Sequence, residues 1–398
     1  MTEPRLARPQ VLFFGLLTAV LATGYGAMFT LLDDYRERYG ISEWRLGVIV
    51  GIGFLSSFLA QIAVAPLADR GYARRSVGLG MAVAVVGLLG MALGQSFAAL
   101  SLARFVMGIG IGTVVPAVRR IVVNGDPEHL GQNLGFLLSA DVAGFATGPV
   151  ISAILVGPFG IAAPYLVIAA AAVACAPVVA RLPIEEGAST SEPGPRLALD
   201  LLLNRSVAAT AAMAAGVFMM IGTFDALWAV VLDDLDASEW EANIGITIFA
   251  LPLILLGSTG GRLAQQFGPF RLGVLGLCIG AVFMGAYGFL PTSRSMVVVG
   301  TFHAVFDGLS VASAGVATGM VVAKERQAAA QGIVGAVETL TAAIVAVVAG
   351  ALYEAAGRET AYLACTGGMF VLAASSWLLS GRARATIRST PPERIRVS

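Results

Sequence analysis

Apolar residues in this chain run in blocks of about twenty, and the charged positions fall between the blocks instead of alternating with apolar ones. The blocks lie at roughly 10–32, 45–68, 76–94, 97–118, 133–157 and 162–181, then at roughly 206–232, 242–264, 272–290, 295–322, 328–353 and 360–380. An α-helix rises about 1.5 Å per residue, so each block is long enough to cross the roughly 30 Å hydrocarbon core of a bilayer. The pattern predicts an all-α integral membrane protein with twelve transmembrane helices in two six-helix bundles. The stretch from Arg181 to Arg205, mixing Pro, Gly, Ser and charge, is the longest polar interruption and divides the two sets. The expected organisation is an N-terminal bundle over 1–181, a linker over 182–205, a C-terminal bundle over 206–381 and a tail over 382–398.

Composition agrees. Of 398 residues, 57% are hydrophobic and only 13% charged, with mean hydropathy +0.83. A soluble chain of this size would need far more charge to cover its core. Net charge is zero, so nothing marks a nucleic-acid partner. Charge placement is more telling. Arg70, Arg74 and Arg75, Arg119 and Arg120, Arg181, Arg196 and Arg205, Arg262 and Arg271, Lys324 and Arg326, and Arg382, Arg384 and Arg388 all fall on one side if the spans alternate. The positive-inside rule then places both termini and the linker in the cytoplasm, in a multi-pass protein of the cell (inner) membrane. The first block follows Arg5 and Arg8 without a small-residue cleavage site, so it reads as a first span and not a removed signal peptide. Cys175, Cys278 and Cys365 lie far apart within apolar blocks and read as small hydrophobes. The sequence carries no P-loop, GxSxG elbow, HExxH or Cys/His cluster, which points away from an enzyme, a metal site, a cofactor or a built-in ATP motor.

An internal repeat supports two halves. "LLDDYRERYGISEW" at 31–44 returns as "VLDDLDASEW" at 231–240, shorter by four residues. Leu67-Ala68 corresponds to Leu263-Ala264, 196 positions on, and Gly135 and Asp141 correspond to Gly332 and Glu338, 197 positions on. A parallel repeat of six spans implies two bundles with a solute site near the midplane.

Three motifs follow in order. "APLADRGYARR", Ala65 to Arg75, resembles the Gly-x-Leu-Ala-Asp-Arg-x-Gly-Arg-Lys loop of the major facilitator superfamily through Leu67, Ala68, Asp69, Arg70 and Arg74. Ala65 stands where the family has its first Gly, and Gly71 stands for a displaced second one. In the second copy, "GGRLAQQFGPFR", Gly261, Leu263, Ala264 and Gly268 match, while Gln265 and Gln266 replace the Asp-Arg pair. A carboxylate here can cap a neighbouring helix and pair with arginine, and the resemblance implies a conformational latch made of Asp69, Arg70 and Arg74. The other reading is a solvated turn.

Leu100, Arg104, Gly108 and Gly110 resemble the family's Leu-x-x-x-Arg-x-x-Gln-Gly-x-Gly pattern, with Met107 at the Gln position. An arginine at midplane costs about 2.5–3.5 kcal/mol, so Arg104 should face a wet cavity or a carboxylate, or else snorkel to the interface. Gly144, Gly148 and Pro149 resemble the fifth-span Gly-x-x-x-Gly-Pro motif of the superfamily's antiporters, with Ser152 and Ala153 in place of its last two glycines.

Five ionisable residues sit inside apolar blocks: Asp141, Asp225, His303, Asp307 and Glu338. Together with Arg104 they are the candidates for proton coupling or for lining a substrate cavity. Asp141 and Glu338, equivalent in the repeat, are the first pair to consider. His303 and Asp307, one helical turn apart, either share a proton or make a structural hydrogen bond. Asp225 reads as an outer gate or as exposed interface. The Asp33-Asp34 and Asp233-Asp234 pairs, with Trp44 and Trp240, read as outer boundary. The resemblance implies a twelve-helix drug:proton antiporter, with protons, a small-molecule substrate and membrane lipid as partners, exporting a hydrophobic or cationic compound. A metabolite carrier for a sugar, organic acid or amino acid stands as the alternative, and a non-transporting sensor behind it.

Overall fold

The computed structural model describes residues 6–182 and 197–389. Most of the expected linker and the tail beyond residue 389 therefore lie outside the described residues, as do the side chains of Asp33 and Trp240.

The helices are α1 (Arg8–Thr30), α2 (Leu32–Tyr39), α3 (Glu43–Ala63), α4 (Ala73–Leu93), α5 (Phe97–Gly125), α6 (Leu130–Phe159) and α7 (Ala162–Arg181) in the first half. The second half holds α8 (Arg205–Asp234), α9 (Glu239–Phe267), α10 (Pro269–Tyr287), α11 (Ser293–Ser310), α12 (Ser313–Val321), α13 (Gln327–Leu379) and α14 (Gly381–Ser389). A backbone in lipid must satisfy its own hydrogen bonds, and long helices do so segment by segment.

Ten described segments are long and apolar enough to cross a membrane. One of them is α13, whose 53 residues would reach about 80 Å if straight, far beyond one bilayer crossing. It breaks at Gly357, where φ is +82°, a conformation open to glycine at little cost. The two halves of α13 together with α9 bring the spans to twelve. The predicted tenth span is interrupted, running as α11 and α12. The four residues missing from the second copy of the repeat fall within 35–41, the second half of the short helix α2 and the turn after it.

Polar residues set several helix starts. Ser96 accepts from the Ala99 N–H at 3.3 Å, Asn204 from Ser206 at 2.9 Å, and Thr292 from Ser295 at 3.2 Å.

Two compact units emerge. The first holds Met1–Asp126, Ala140–Leu199 and Ala323–Ala336, and the second Pro127–Ser139, Asp200–Val322 and Val337–Ser398. Each unit has its own apolar core, the first around Leu31, Tyr35, Ile49, Leu88, Met107 and Tyr165, the second around Trp228, Leu277, Met284, Tyr287 and Met369. Within the first unit the Tyr35 hydroxyl donates to Tyr165 at 2.8 Å. Burial, and then the neighbouring Tyr165, holds the Tyr35 phenol well above its ordinary range. Large apolar side chains such as Leu79, Leu93, Val347 and Leu378 stand exposed on the helices, as a lipid-facing surface requires.

Candidate functional site

In the first unit the chain leaves α3 through Pro66 and turns over Ala68–Tyr72, where Gly71 takes φ +86°. Glycine at position 71 thus supplies the turn that the family pattern places elsewhere. The turn buries Asp69, which is only 7% exposed. Its Oδ1 accepts from the Ala328 N–H at 3.0 Å and its Oδ2 from the Ala329 N–H at 2.8 Å, so it caps the start of α13. The charge is met by Arg120 of α5, whose Nε donates to Oδ1 at 3.0 Å and which is itself buried. Arg74 reaches elsewhere, donating to the Leu182 carbonyl at 2.6 Å at the end of α7, and Arg70 is half-buried. The arginine that completes the carboxylate's hydrogen bonding is therefore Arg120. In the sequence it had counted only toward the charge asymmetry of the loops.

The second unit contains the same device without charge. Gln265, 196 positions after Asp69, accepts from the Gly131 N–H through Oε1 at 2.7 Å. Its Nε2 donates to the carbonyls of Pro127 at 3.0 Å and Glu128 at 3.1 Å. It closes the start of α6 as Asp69 closes the start of α13. Gln265 lacks the charge of its counterpart, and the repeat offset is the signal that marks its role.

Small residues let these elements meet. A Cβ on Gly131 would strike the Gly261 carbonyl, and one on Gly332 would lie 2.7 Å from the Ala65 Cβ. Alanine at position 65 is accommodated because its opposite number is glycine. The fifth-span motif works similarly: Gly144 and Gly148 face the backbone of α1 at Ala19 and Ala27, and Gly26 of α1 faces Phe145 in return. Pro149 lies within α6 just after this contact.

Arg104 is fully buried. Its guanidinium carbon sits 4.1 Å over the centre of the Tyr25 ring, and Nη1 lies 3.7 Å from the Met107 sulfur. No carboxylate among the described residues is within ion-pair distance of it. Met107, at the family's Gln position, supplies only this weak acceptor. Gly53 makes room for the guanidinium, because a Cβ there would lie 2.5 Å from Cζ. Tyr25 also belongs to an aromatic group: its ring centre is 5.5 Å from Phe29, 5.3 Å from Phe54 and 5.9 Å from Phe145. Asp141 stands exposed on α6, one helical turn before Phe145.

In the second unit His303 and Asp307 do come together, with a third partner the sequence did not indicate. The Tyr287 hydroxyl and His303 Nδ1 share a hydrogen bond of 2.9 Å, while His303 Nε2 lies 3.4 Å from Asp307 Oδ2. All three side chains are buried. Phe283 stacks on the imidazole at 5.0 Å, and the Tyr287 ring meets Trp228 and Tyr362. Asp225 is exposed on α8 and Glu338 half-buried on α13. Asp141 belongs to the first unit and Glu338 to the second.

The model of one protein family, described as Major Facilitator Superfamily, matches residues 12–232 and 210–397. The chain belongs to the Major Facilitator Superfamily. Among curated relatives, the Quinolone resistance protein NorA of Staphylococcus aureus (strain MRSA252) is 27% identical over 140 residues, 35% of this chain and 36% of that protein. The Probable L-galactonate transporter of Escherichia coli (strain K12) is 27% identical over 146 residues, 34% of this chain and 32% of the relative. The chain thus aligns with about a third of the length of either relative. Solved superfamily structures match almost throughout. The human organic anion transporter MFSD10 (TETRAN) superposes with TM-score 0.77 at 17% identity, covering 92% of this chain and 98% of the other. The E. coli Fucose:proton symporter FucP superposes with TM-score 0.72 at 14% identity, covering 93% and 98%. These likenesses establish a multi-pass membrane transporter fold.

Proposed function

We propose that this superfamily member is a proton-coupled secondary transporter that exports small hydrophobic or cationic compounds by alternating access. Its two six-helix halves, 1–181 and 206–381, are joined by the linker 182–205, with the termini cytoplasmic in the cell membrane. The observation that carries the reading is the exposed Asp141 carboxylate one turn along α6 from Phe145, whose ring belongs to the group formed with Tyr25, Phe29 and Phe54. Aromatic faces and a carboxylate together attract a lipophilic cation and repel an anion. The buried Tyr287–His303–Asp307 chain supplies groups able to hold a proton away from water. Asp69 with Arg120 serves as the latch, while Asp141, Glu338, Asp225 and Asp307 are the groups whose protonation couples to flux. The partial likeness to NorA, a quinolone resistance protein, supports a drug-like solute.

A second reading rests on one observation: Arg104 is buried with no carboxylate near it among the described residues, which suits an organic anion. Proton movement in proteoliposomes under an imposed pH gradient separates the two. Lipophilic cations should evoke proton release, and Asp141→Asn, Glu338→Gln and Asp307→Asn should abolish it. A response to sugars, amino acids or organic acids alone, abolished by Arg104→Gln, would replace the exporter by a metabolite carrier.

A further inference from the structure

At the start of α8 and the end of α13, within the second unit, the chain forms a cavity of about 440 Å³ lined by Asn204, Arg205, Ser206, Leu378, Leu379 and Arg382, with Gly381 between. We infer that this cavity binds the headgroup of an anionic phospholipid from the leaflet on the side of the chain termini, its phosphate held by Arg205 and Arg382. The inference is independent of the transported solute and requires only that the protein span a membrane.

Three observations combine. The first is how the cavity is built. Arg384 of α14 lies with its guanidinium carbon 3.3 Å over the Trp377 ring and donates from Nη2 to the Trp377 carbonyl at 2.9 Å. This contact folds α14 back against the end of α13 and carries Arg382 to the cavity wall. The second is charge. Arg205 and Arg382 are exposed, and no carboxylate among the described residues lies within ion-pair distance of Arg205, Arg271, Arg382 or Arg384. The Arg384 guanidinium is held below its ordinary value by burial and then by the positive charge of Arg271. The 30-residue helix α8 adds the positive end of its dipole. Asn204 already takes the Ser206 N–H, so the attraction rests chiefly on the arginines.

The third observation selects the source of the phosphate. Leu378 is 73% exposed and Leu203 87% exposed beside the two arginines, and Trp377 is 40% exposed. A free phosphate gains nothing from such leucines, whereas a phospholipid lays its acyl chains along them while Trp marks the headgroup level. The size of the cavity falls in the range of small-ligand sites.

Native mass spectrometry of the full-length protein in detergent, titrated with phosphatidylglycerol, tests the proposal. The lipid adduct should form on the wild type in preference to a phosphatidylcholine adduct. It should weaken about 5-fold per arginine in Arg205→Gln and Arg382→Gln, corresponding to about 1 kcal/mol for each juxtamembrane cation. Arg205→Lys with Arg382→Lys should retain most of the binding and guards against a folding defect. Arg8→Gln with Arg45→Gln removes the same charge elsewhere and should leave binding unchanged. Equal phosphatidylglycerol binding by the Arg205→Gln/Arg382→Gln variant and the wild type would overturn the proposal. So would equal binding of phosphatidylcholine, or displacement of the lipid by glycerol phosphate at matching concentration.

Discussion

Asp69 and Gln265 stand at equivalent places in the repeat and close equivalent helix starts, yet only one of them carries charge. Asp69 accepts from Ala328, and Gln265 from Gly131, which lies 197 positions earlier. A buried carboxylate satisfies two N–H groups but needs a cation beside it, and Arg120 provides one. An amide accepts one N–H and spends its own donors on the carbonyls of Pro127 and Glu128, so no charge is left over. The residues that correspond to Arg120 at the two repeat offsets are Val316 and Ala317, both buried and apolar. The charged pair is present in one half, and both of its members are uncharged in the other. The capping geometry is what the two halves share, and the charge is an addition in one of them.

The comparison can be broken at several points. The largest effect is expected for Asp69→Ala or Arg120→Ala, each of which strands one buried charge at a cost of about 3–5 kcal/mol, read as a lowered unfolding temperature of the purified protein in detergent. Asp69→Gln combined with Arg120→Val copies the second half into the first. Measured the same way, it should cost less than the sum of its single changes by about 0.5–3 kcal/mol; strict additivity would show that the two residues act independently. Next comes Gln265→Ala, which removes three neutral hydrogen bonds and leaves one amide and two carbonyls short of partners. About 1–3 kcal/mol is expected, with little dependence on salt, whereas the Asp69 variants should respond to ionic strength less than a surface pair would. The smallest effect belongs to Ala65→Gly, about 0.5–1 kcal/mol, because Gly332 already leaves space for the methyl group. If Ala65→Gly were as costly as Gln265→Ala, the close approach at Gly332 would carry more of the packing than the caps do.

The buried ionisable residues divide along similar lines. His303 and Asp307 were readable as neighbours from their spacing of four on one helix, and they meet. Tyr287 was not readable, since it arrives from α10 and nothing local ties it to His303. Arg104 was recognisable as unusual in an apolar block. Its partner, the face of Tyr25 on α1, is a contact between separate helices. Asp69 was identified from its motif, while its arginine came from α5, 51 residues on, instead of from its own loop.

The sequence alone determined what depends on chain-local physics. Blocks of about twenty apolar residues must become spanning helices because lipid offers no partner to a bare backbone, and a repeat must give two alike halves. Gly357 falls in the break read between the blocks ending at 353 and starting at 360, whereas the gap between α11 and α12, inside the predicted tenth span, has no strong local marker among so many glycines. Tertiary structure decided everything that needs two helices at once. It chose Arg120 over Arg70 and Arg74, gave Gln265 the role of a neutral cap, stacked Arg104 on Tyr25 and folded α14 against Trp377 to shape the arginine-lined cavity. The physical reason is that hydrogen bonds and cation–π contacts act over about 3–6 Å, so their partners are set by how helices pack and not by how residues follow one another along the chain.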